Sequence, residues 1–506
     1  MPAYTTRKSL FGVKEESTNG TPIDLASGAD IIAVQDGFEV SPSFETIDNN
    51  ELSPNIGSRA PILGIEAPSA SLSHYIRHSG TEATAPNYDA LLKNVLGGKT
   101  AAFSEKTTTT GSTAGSSAAR ATVILASGGT SFERGHAVLI KDSTNGYNIR
   151  NVLSISTNTL TLLHNLTAAP ATGMLTGRPI LYKPADAPAA LSLWSFRANE
   201  AAKEVVTGAQ VSEMSIEAEA GQPLNASFNF EGVGYYFNPI RVNSADAYID
   251  FNDGGVKVAT VTVKLYKSPH DLASAIQTAM NAASSGFTVV YNDTGANAGK
   301  FTFTKASGTF SILASTGTNV ANGIWSQIGF AATDLSAALT YTSDTVQSWA
   351  SPYSATVDAN TSPIVVKYNE VLFGQFDRFA CAGAQSFSFN ISKELQNVPD
   401  ICAESGVGEK LITKRVVTAE LTLTLAQHDA DAFRKFSAGD TTQFSYNGGV
   451  KSGGNWVAGR CVNICMPQCK ISSFQLTDSD GIVTIQATLT AFMEADGLGE
   501  VYVNFL

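Results

Sequence analysis

Apolar and polar residues alternate one for one over long parts of the chain. Val483, Ile485, Ala487, Leu489 and Ala491 are separated by Thr484, Gln486, Thr488 and Thr490. Leu421, Leu423 and Leu425 alternate with Thr422 and Thr424, and Phe387, Phe389 and Ile391 with Ser388 and Asn390. A period of two sends successive side chains to opposite faces, so each run predicts a strand with one buried and one solvated face. The solvated positions carry Thr, Ser, Asn and Gln more than long charged chains, which suits strand surfaces. The fold class this predicts is mainly β. Helical spacing is confined to short stretches, the clearest opening at Ser268-Pro-His-Asp271. Ser268 is the expected N-cap, Pro269 the first helical residue and Asp271 an early acid favoured by the helix dipole. Leu272, Ala275, Ile276, Ala279, Met280 and Ala283 then form an apolar stripe for core packing.

The pattern occurs twice. Asp89-Ala-Leu-x-Lys93-x-x-x-Gly97 matches Asp431-Ala-Phe-x-Lys435-x-x-x-Gly439, each reading as a short amphipathic helix stopped by glycine. An alternating strand precedes each helix, at residues 70–77 and 419–425. Earlier still, Phe38-x-Val40-x-Pro42-x-Phe44 parallels Phe387-x-Phe389-x-Ile391. After the helices, Val211-Ser-x-Met214-x-Ile216 matches Ile471-Ser-x-Phe474-x-Leu476, and Gly221 matches Gly481. The closing strands drift by one residue (Leu224, Ala226, Phe228 against Val483, Ile485, Ala487), which calls for a bulge or gap. The order strand, strand, helix, hairpin predicts a duplicated unit.

Two stretches interrupt it. Residues 101–184 open with a flexible Thr/Ser/Gly linker and continue as short strands at 123–125, 137–140, 149–155, 160–163 and 180–182, spacing that suggests a small β-barrel-like module. Residues 238–362 hold the Ser268 helix among strands at 256–265, 287–291, 301–303 and 310–313, a compact α+β module. The expected organisation is a discontinuous first unit (1–100 and 185–237), the insertion 101–184, the α+β module 238–362 and a second unit 363–506.

Composition narrows the function. Of 506 residues 43% are hydrophobic and 15% charged, and 33 Lys plus Arg against 45 Asp plus Glu leave a net charge of −12. Disorder is excluded by the apolar content, and a protein that grips nucleic acid would carry a basic surface. No apolar run approaches the ~18 residues of a membrane span. The first residues have Arg7 and Lys8 without an apolar core behind them, so no signal peptide is expected.

The chemistry-bearing patterns fail one by one. Five cysteines are too few for a disulfide framework, and Cys461, Cys465 and Cys469 lack both metal-site spacing and a nearby His, so they read as buried thiols sharing one face. His74 and His78 have Tyr75 where a zincin needs Glu. Gly97-Gly-Lys-Thr100 imitates a phosphate loop, yet Lys93 stands where its first Gly belongs. Asp250, Asn252 and Asp253 before Gly254 lack the spacing and closing Glu of a calcium loop and read as a hairpin turn. Asn165, Asn225, Asn292 and Asn390 begin chance glycosylation acceptors. No catalytic, cofactor-binding or metal residue is expected, no cofactor, and no enzyme.

Phe11-Gly-Val-Lys-Glu-Glu-Ser-Thr-Asn-Gly-Thr21, Phe38-Glu-Val-Ser-Pro42, Pro61-Ile-Leu-Gly64 and the strand–helix unit ending Leu96-Gly-Gly98 resemble the major tail tube proteins of long-tailed bacteriophages. The resemblance spans residues 10–98, 191–232 and 365–506. It implies a β-sandwich with a flanking helix in each unit, and six units per ring around a channel. The duplication resembles the subset with two fused units, so three chains would make a pseudo-sixfold ring. The α+β module, with Lys267-Ser-Pro-His-Asp-Leu-Ala273 and Gln327-Ile-Gly-Phe330, resembles decoration modules of phage virion proteins. The implied role is a virion tail tube subunit, assembled in the host cytoplasm and delivering the genome. The implied partners are further copies of itself, a tape-measure protein, and tail terminator and distal tail proteins. DNA would cross without specific binding, along Thr/Ser/Asn/Gln faces of net negative potential. The extended residues 1–34 and the final strand with Val501, Val503 and Phe505 would serve as contact arms. The alternative is a receptor- or glycan-binding tail or baseplate protein, since Trp325, Tyr341 and Trp349 look exposed in the inserts. A polysaccharide-degrading spike would show β-helix repeats and a carboxylate pair, and neither is seen.

Overall fold

A computed structural model describes residues 9–25, 28–52, 57, 59–116, 118–141, 146–197, 202–346, 364, 369–374, 384–424, 430–479, 481–493 and 499–506. Leu425, Trp349 and residues 1–8 and 347–362, to which expectations were attached, lie outside them.

The strands of the first half are β1 (Leu10–Glu15), β2 (Glu39–Ser41), β3 (Ser69–Tyr75), β4 (Leu191–Arg197), β5 (Ala202–Glu219) and β6 (Asn225–Glu231), with α1 (Asp89–Leu96) after β3. Following α2 (Pro269–Ala283), the second half runs β7 (Asn369–Phe373), β8 (Ala384–Pro399), β9 (Val407–Thr424), α3 (Ala430–Ala438), β10 (Thr442–Ser452), β11 (Asn455–Ser479) and β12 (Ile482–Ala491). Antiparallel pairing gives the ladder β1-β4-β5-β6-β3-β2 in the first half. It gives β7-β10-β11-β12-β9-β8 in the second, the same order of corresponding strands. Each β5–β6 or β11–β12 hairpin has its irregularity at the same place, between Val211 and Glu213 or between Ile471 and Ser473. The one-residue drift expected in the closing strands falls in the turn instead. The ladder closes at Glu217–Asn225 in the first hairpin and Ser479–Ile482 in the second.

The alternation read from sequence sorts the side chains as expected. Phe387, Phe389, Ile391, Ile485 and Leu489 are buried, and one continuous core takes residues from both halves, from Phe11 to Phe505. Val483 departs from the pattern and is exposed, because it lies beside the turn that closes its hairpin. α1 presents Leu91, Leu92, Val95 and Leu96 to this core. It ends at Gly97, whose φ of +97° is left-handed and whose Cβ, if present, would stand 2.5 Å from the Ala185 carbonyl oxygen. Only glycine tolerates both conditions.

Among the described residues neither terminal strand is a free arm. β1 is paired along its length with β4, Leu10 opposite Phe196 and Glu15 opposite Leu191. The last strand, Tyr502–Phe505, lies between β11 and the strand Ile180–Pro184, and Ile180–Pro184 pairs onward with Gly97–Lys99. The residues expected as the last strand of the insertion are therefore part of the main sheet. Their apolar run, Ile180-Leu-Tyr, is buried on both faces, as a central strand requires.

The remaining insertion strands, Thr122–Ile124, Ala137–Lys141, Tyr147–Ser156 and Thr159–Leu162, form a four-stranded sheet with its own core around Val123, Phe132, Val138, Val152 and Leu160. It is fastened to the main sheet by a buried amide network. Asn151 donates to Asn463 Oδ1 at 2.7 Å, Asn463 to Asn447 Oδ1 at 2.7 Å, and Asn504 to Asn463 Oδ1 at 3.0 Å. Ser445 donates to Asn151 Oδ1 at 3.1 Å, and Asn504 Oδ1 accepts from the Ala137 amide at 3.0 Å. Such a network holds only while each member is satisfied.

The α+β module has a separate core of Ile249, Phe251, Ile276, Phe301, Phe303 and Trp325. Ser268 caps α2, its Oγ accepting from the Asp271 amide at 3.2 Å. Asn252 and Asp253 sit in a hairpin turn, Asn252 Oδ1 accepting from Gly255 at 2.9 Å. Among the described residues no helix is long and apolar enough to cross a membrane.

Replacing Asn463 by Ala leaves Asn151, Asn447 and Asn504 with unmet buried groups, each costing ~1–3 kcal/mol. The Asn463→Ala protein is expected to lose about 3 kcal/mol of stability or more, read as a fall in denaturation midpoint. An unchanged midpoint would show that water replaces the amide.

Candidate functional site

The residues singled out from sequence do not converge. Cys461, Cys465 and Cys469 are buried thiols that enter three different apolar clusters: Cys461 and Cys465 share one face of β11 as expected, and Cys469 is turned to the other. The ladder is irregular between Thr442 and Phe444, which changes the facing of β11 between Met466 and Cys469. His74 is buried against Phe228 with ring centroids 5.4 Å apart, and burial pushes its pKa down to about 4. Among the described residues no group of three or more His, Cys, Asp or Glu could hold a metal. Trp325 is buried, and the Tyr341 hydroxyl donates to the Phe310 carbonyl at 2.7 Å, so neither is the exposed binding aromatic expected of it. A core position explains both: the module needs large apolar side chains between its sheets.

What the fold builds instead is a surface. The second half of β5 is shared between β6 and β8: Met214 lies opposite both Phe228 and Ile391, and Ile216 opposite both Ala226 and Phe389. This joint fuses two sets of four strands into one run, β2-β3-β6-β5-β8-β9-β12-β11. One face is the apolar core. The other is polar in register across the run. One row reads Ser73, Ser227, Ser215, Asn390, Thr418, Thr490 and Lys470, and the next Tyr75, Asn225, Glu217, Ser388, Glu420, Thr488 and Ser473. Ser73 and Ser227 share a 2.8 Å hydrogen bond, and Asn229 and Asn390 both donate to Glu213, at 3.1 and 2.6 Å. Glu39, Glu213, Glu217, Glu219, Glu231 and Glu420 lie on this face. Its described cations are Lys470 and Lys414, the latter paired at 3.5 Å with Glu394 of the same face, with Lys410 reaching Glu231 at the rim at 2.9 Å. The face is therefore acidic and short-chained.

The joint is locked from the far side. Lys393 of β8, buried, donates to the Asn94 carbonyl at 2.9 Å near the end of α1. Arg415 of β9 reaches the Leu96 and Ala185 carbonyls at 3.5 Å and pairs with Glu500. Cations belong at a helix C-terminus, where carbonyls lack intrahelical donors. Asn94 completes the lock, its Oδ1 accepting from the Val211 amide and its Nδ2 donating to Ala189 and Gln210. Burial, then the charge of Arg415, lowers the Lys393 pKa to about 7. Sequence reasoning missed this lock. The signal was the continuation of the repeat, where Lys393 breaks the apolar alternation that Phe44 completes in the first copy.

The two ends of the run are open. Among the described residues, β2 pairs on one side only, with β3, and the stretch of β11 from Ile471 to Ser479 pairs only with β12. A family model described as phage tail tube protein matches residues 6–263. The chain belongs to the phage tail tube family. No curated protein matched the sequence. The tube protein is thus a structural subunit of a phage tail tube, a virion component that assembles with itself and with other tail proteins, and membership of a structural family points away from catalysis. The match covers the first ladder and ends within the α+β module, leaving β7–β12 of the tube protein beyond it. The mainly β architecture of the tube protein accords with that family.

Lys393 binds fewer protons in the folded chain than in the unfolded chain between pH 7 and its ordinary value of 10.5. Folding stability therefore rises with pH through that window and is lowest, from this group, below pH 7. One proton corresponds to about 1.4 kcal/mol per pH unit. Comparing denaturant unfolding of the native chain with Lys393→Met at pH 7, 8 and 9 should show the native slope exceeding that of the variant by about this much. Parallel profiles would place the ammonium in contact with water.

Proposed function

We propose that three chains close a ring in which the polar face lines a channel, and that stacked rings form the tube of a long flexible tail through which the genome is ejected. The observation that carries this reading is the pair of open edges matching the internal joint. Met214 and Ile216 correspond in the repeat to Phe474 and Leu476, and Phe389 to Val40. At the joint Met214, Ile216 and Phe389 are buried, whereas Leu476 is 58% exposed. Pairing the β11 edge of one copy with the β2 edge of the next repeats the joint between chains. It also satisfies strand edges that otherwise invite aggregation. Three chains give about 24 strands, well beyond the 16–18 at which a closed barrel already encloses an aqueous channel.

Both ladders then act as tube domains, residues 1–100 with 185–237 and residues 363–506. Residues 101–184 and 238–362 act as additions, with the strand Ile180–Pro184 working as part of the tube wall. The hairpin arms at Phe44–Ile47 and Ile62–Glu66 expose Ile47, Ile62 and Leu63, and the tip of the β8–β9 hairpin exposes Ile401, a reason to assign them to ring stacking. Stacking of this kind does not close on itself, so a filament grows. The tape-measure protein fits the channel before ejection, and terminator and distal tail proteins fit the two ends. The acidic face suits a conduit for DNA: each phosphate held by a cation would resist transit, and here carboxylates prevail.

Cryo-electron microscopy of the assembled protein is expected to show three chains per ring with a sixfold-like wall. Rings of six whole chains, or closed trimers that never stack, would refute the proposal. Converting Glu217 and Glu420 to Lys should leave tubes of the same width that retain duplex DNA at low salt, a retention lost as salt is raised. The native tube should retain none under either condition.

A further inference from the structure

The internal joint and the open edges share backbone geometry but not side-chain chemistry. Val40 corresponds to Phe389 in the ladders, and the sequence repeat continued past β2 matches Pro42 to Ile391 and Phe44, where the hairpin arm begins opposite Glu66, to Lys393. On the helix, Leu91 and Asn94 of α1 correspond to Phe433 and Phe436 of α3. Where the joint sets a buried ammonium against a helix carbonyl and an amide network, the described side chains at the corresponding edge positions are rings. Phe433, Phe436 and Phe474 form one cluster, with centroids 5.8 to 6.4 Å apart. Phe433 is 55% exposed whereas Leu91 is 0% exposed, and Phe44 is 47% exposed whereas Lys393 is 4% exposed. Each exposed aromatic thus occupies a position that the fold buries at the joint.

We propose that Phe44 of one copy seats on the Phe433–Phe436–Phe474 cluster of the next, and that this aromatic seam, being incompatible with the Lys393 lock, forces the two kinds of joint to alternate around the ring. This rests on the ring reading above and specifies the partner as a second copy in one register. Applying the internal register, Met214 opposite Ile391 and Ile216 opposite Phe389, to the open edges puts Phe474 opposite Pro42 and Leu476 opposite Val40. On the polar face Gln475 then faces Ser41, as Ser215 faces Asn390. The mispairings are penalised chemically. A β2 edge at β5 would leave the Asn94 carbonyl without the ammonium it holds at the joint, and a β8 edge at β11 would bury Lys393 beside the Phe436 ring where the joint offers the Asn94 amide. A buried polar group without a partner costs far more than a lost contact. Aromatic pairs in offset or edge-on geometry supply the favourable part at the correct seam.

The test uses the full chain carrying Cys402→Ser, with Ser41→Cys and Gln475→Cys joined by a short bis-maleimide after assembly. Each single-cysteine chain is the control. The expected result is a covalent species of three chains, absent from both controls. Phe44→Lys should abolish the cross-link and raise the concentration needed for assembly at least tenfold. Its melting temperature should remain that of the unassembled native chain, because Phe44 is exposed there. Phe44→Trp should restore assembly. Tubes that form with no Ser41–Gln475 product, or Phe44→Lys tubes that assemble as readily as native, overturn the aromatic seam and leave the ring reading standing. A native chain that makes no ring overturns both.

Discussion

Backbone hydrogen bonding at the margins of a sheet governs this molecule. A strand of Ser, Thr and Asn on one side and Phe, Ile and Leu on the other is stable only when both flanks are paired and its apolar side is covered. Inside the chain the demand is met where β5 holds β6 on one flank and β8 on the other. The core follows from that placement, because it brings the apolar sides of both ladders into one cluster. So does the burial of α1, whose end meets Lys393 and Arg415 from the other ladder.

The alternation, the doubled helix and the paired hairpins were legible in the amino-acid order, because period-two burial and glycine stops are local rules. Gly97 and Gly439 both end helices with positive φ, as their place in the repeat suggested. Partnership was harder to read. Ile180-Leu-Tyr looks like any short insert strand, and only tertiary pairing reveals it as a main-sheet strand against Tyr502–Phe505. The asparagines at 151, 447, 463 and 504 are spread along the chain and carry no motif, so their convergence was invisible. The α+β module illustrates the opposite error. Large aromatics in a polar-looking segment invited a binding role, whereas Trp325 packs against Phe303 and Phe330 inside the module's own core. Lys393 falls between the two cases: it was visible as a break in the repeat, but a break says nothing of which partner justifies it.

The acidic character has a structural location as well as a total. Carboxylates at Glu213, Glu217, Glu219 and Glu420 stand in register on one face, spaced by hydroxyls and amides that tie neighbouring strands together. Most other long cations work elsewhere, at helix ends and between modules, as in Arg150 with Glu370 and Lys267 with Glu66. A low charge content is therefore compatible with a strongly polarised surface.

Joining two strand sets through β5 and β8 also has a thermodynamic consequence for assembly on the proposed plan. Half of the seams in a ring are then present before any encounter takes place. Each chain brings its second strand set at the high effective concentration of a tether, and translational and rotational freedom is surrendered by three bodies instead of six. The initiation of a ring becomes a lower-order event in protein concentration, and incomplete rings have fewer compositions in which to stall. The covalent link between two folded halves thereby acts as a kinetic device, shortening the path from free chains to the first closed layer.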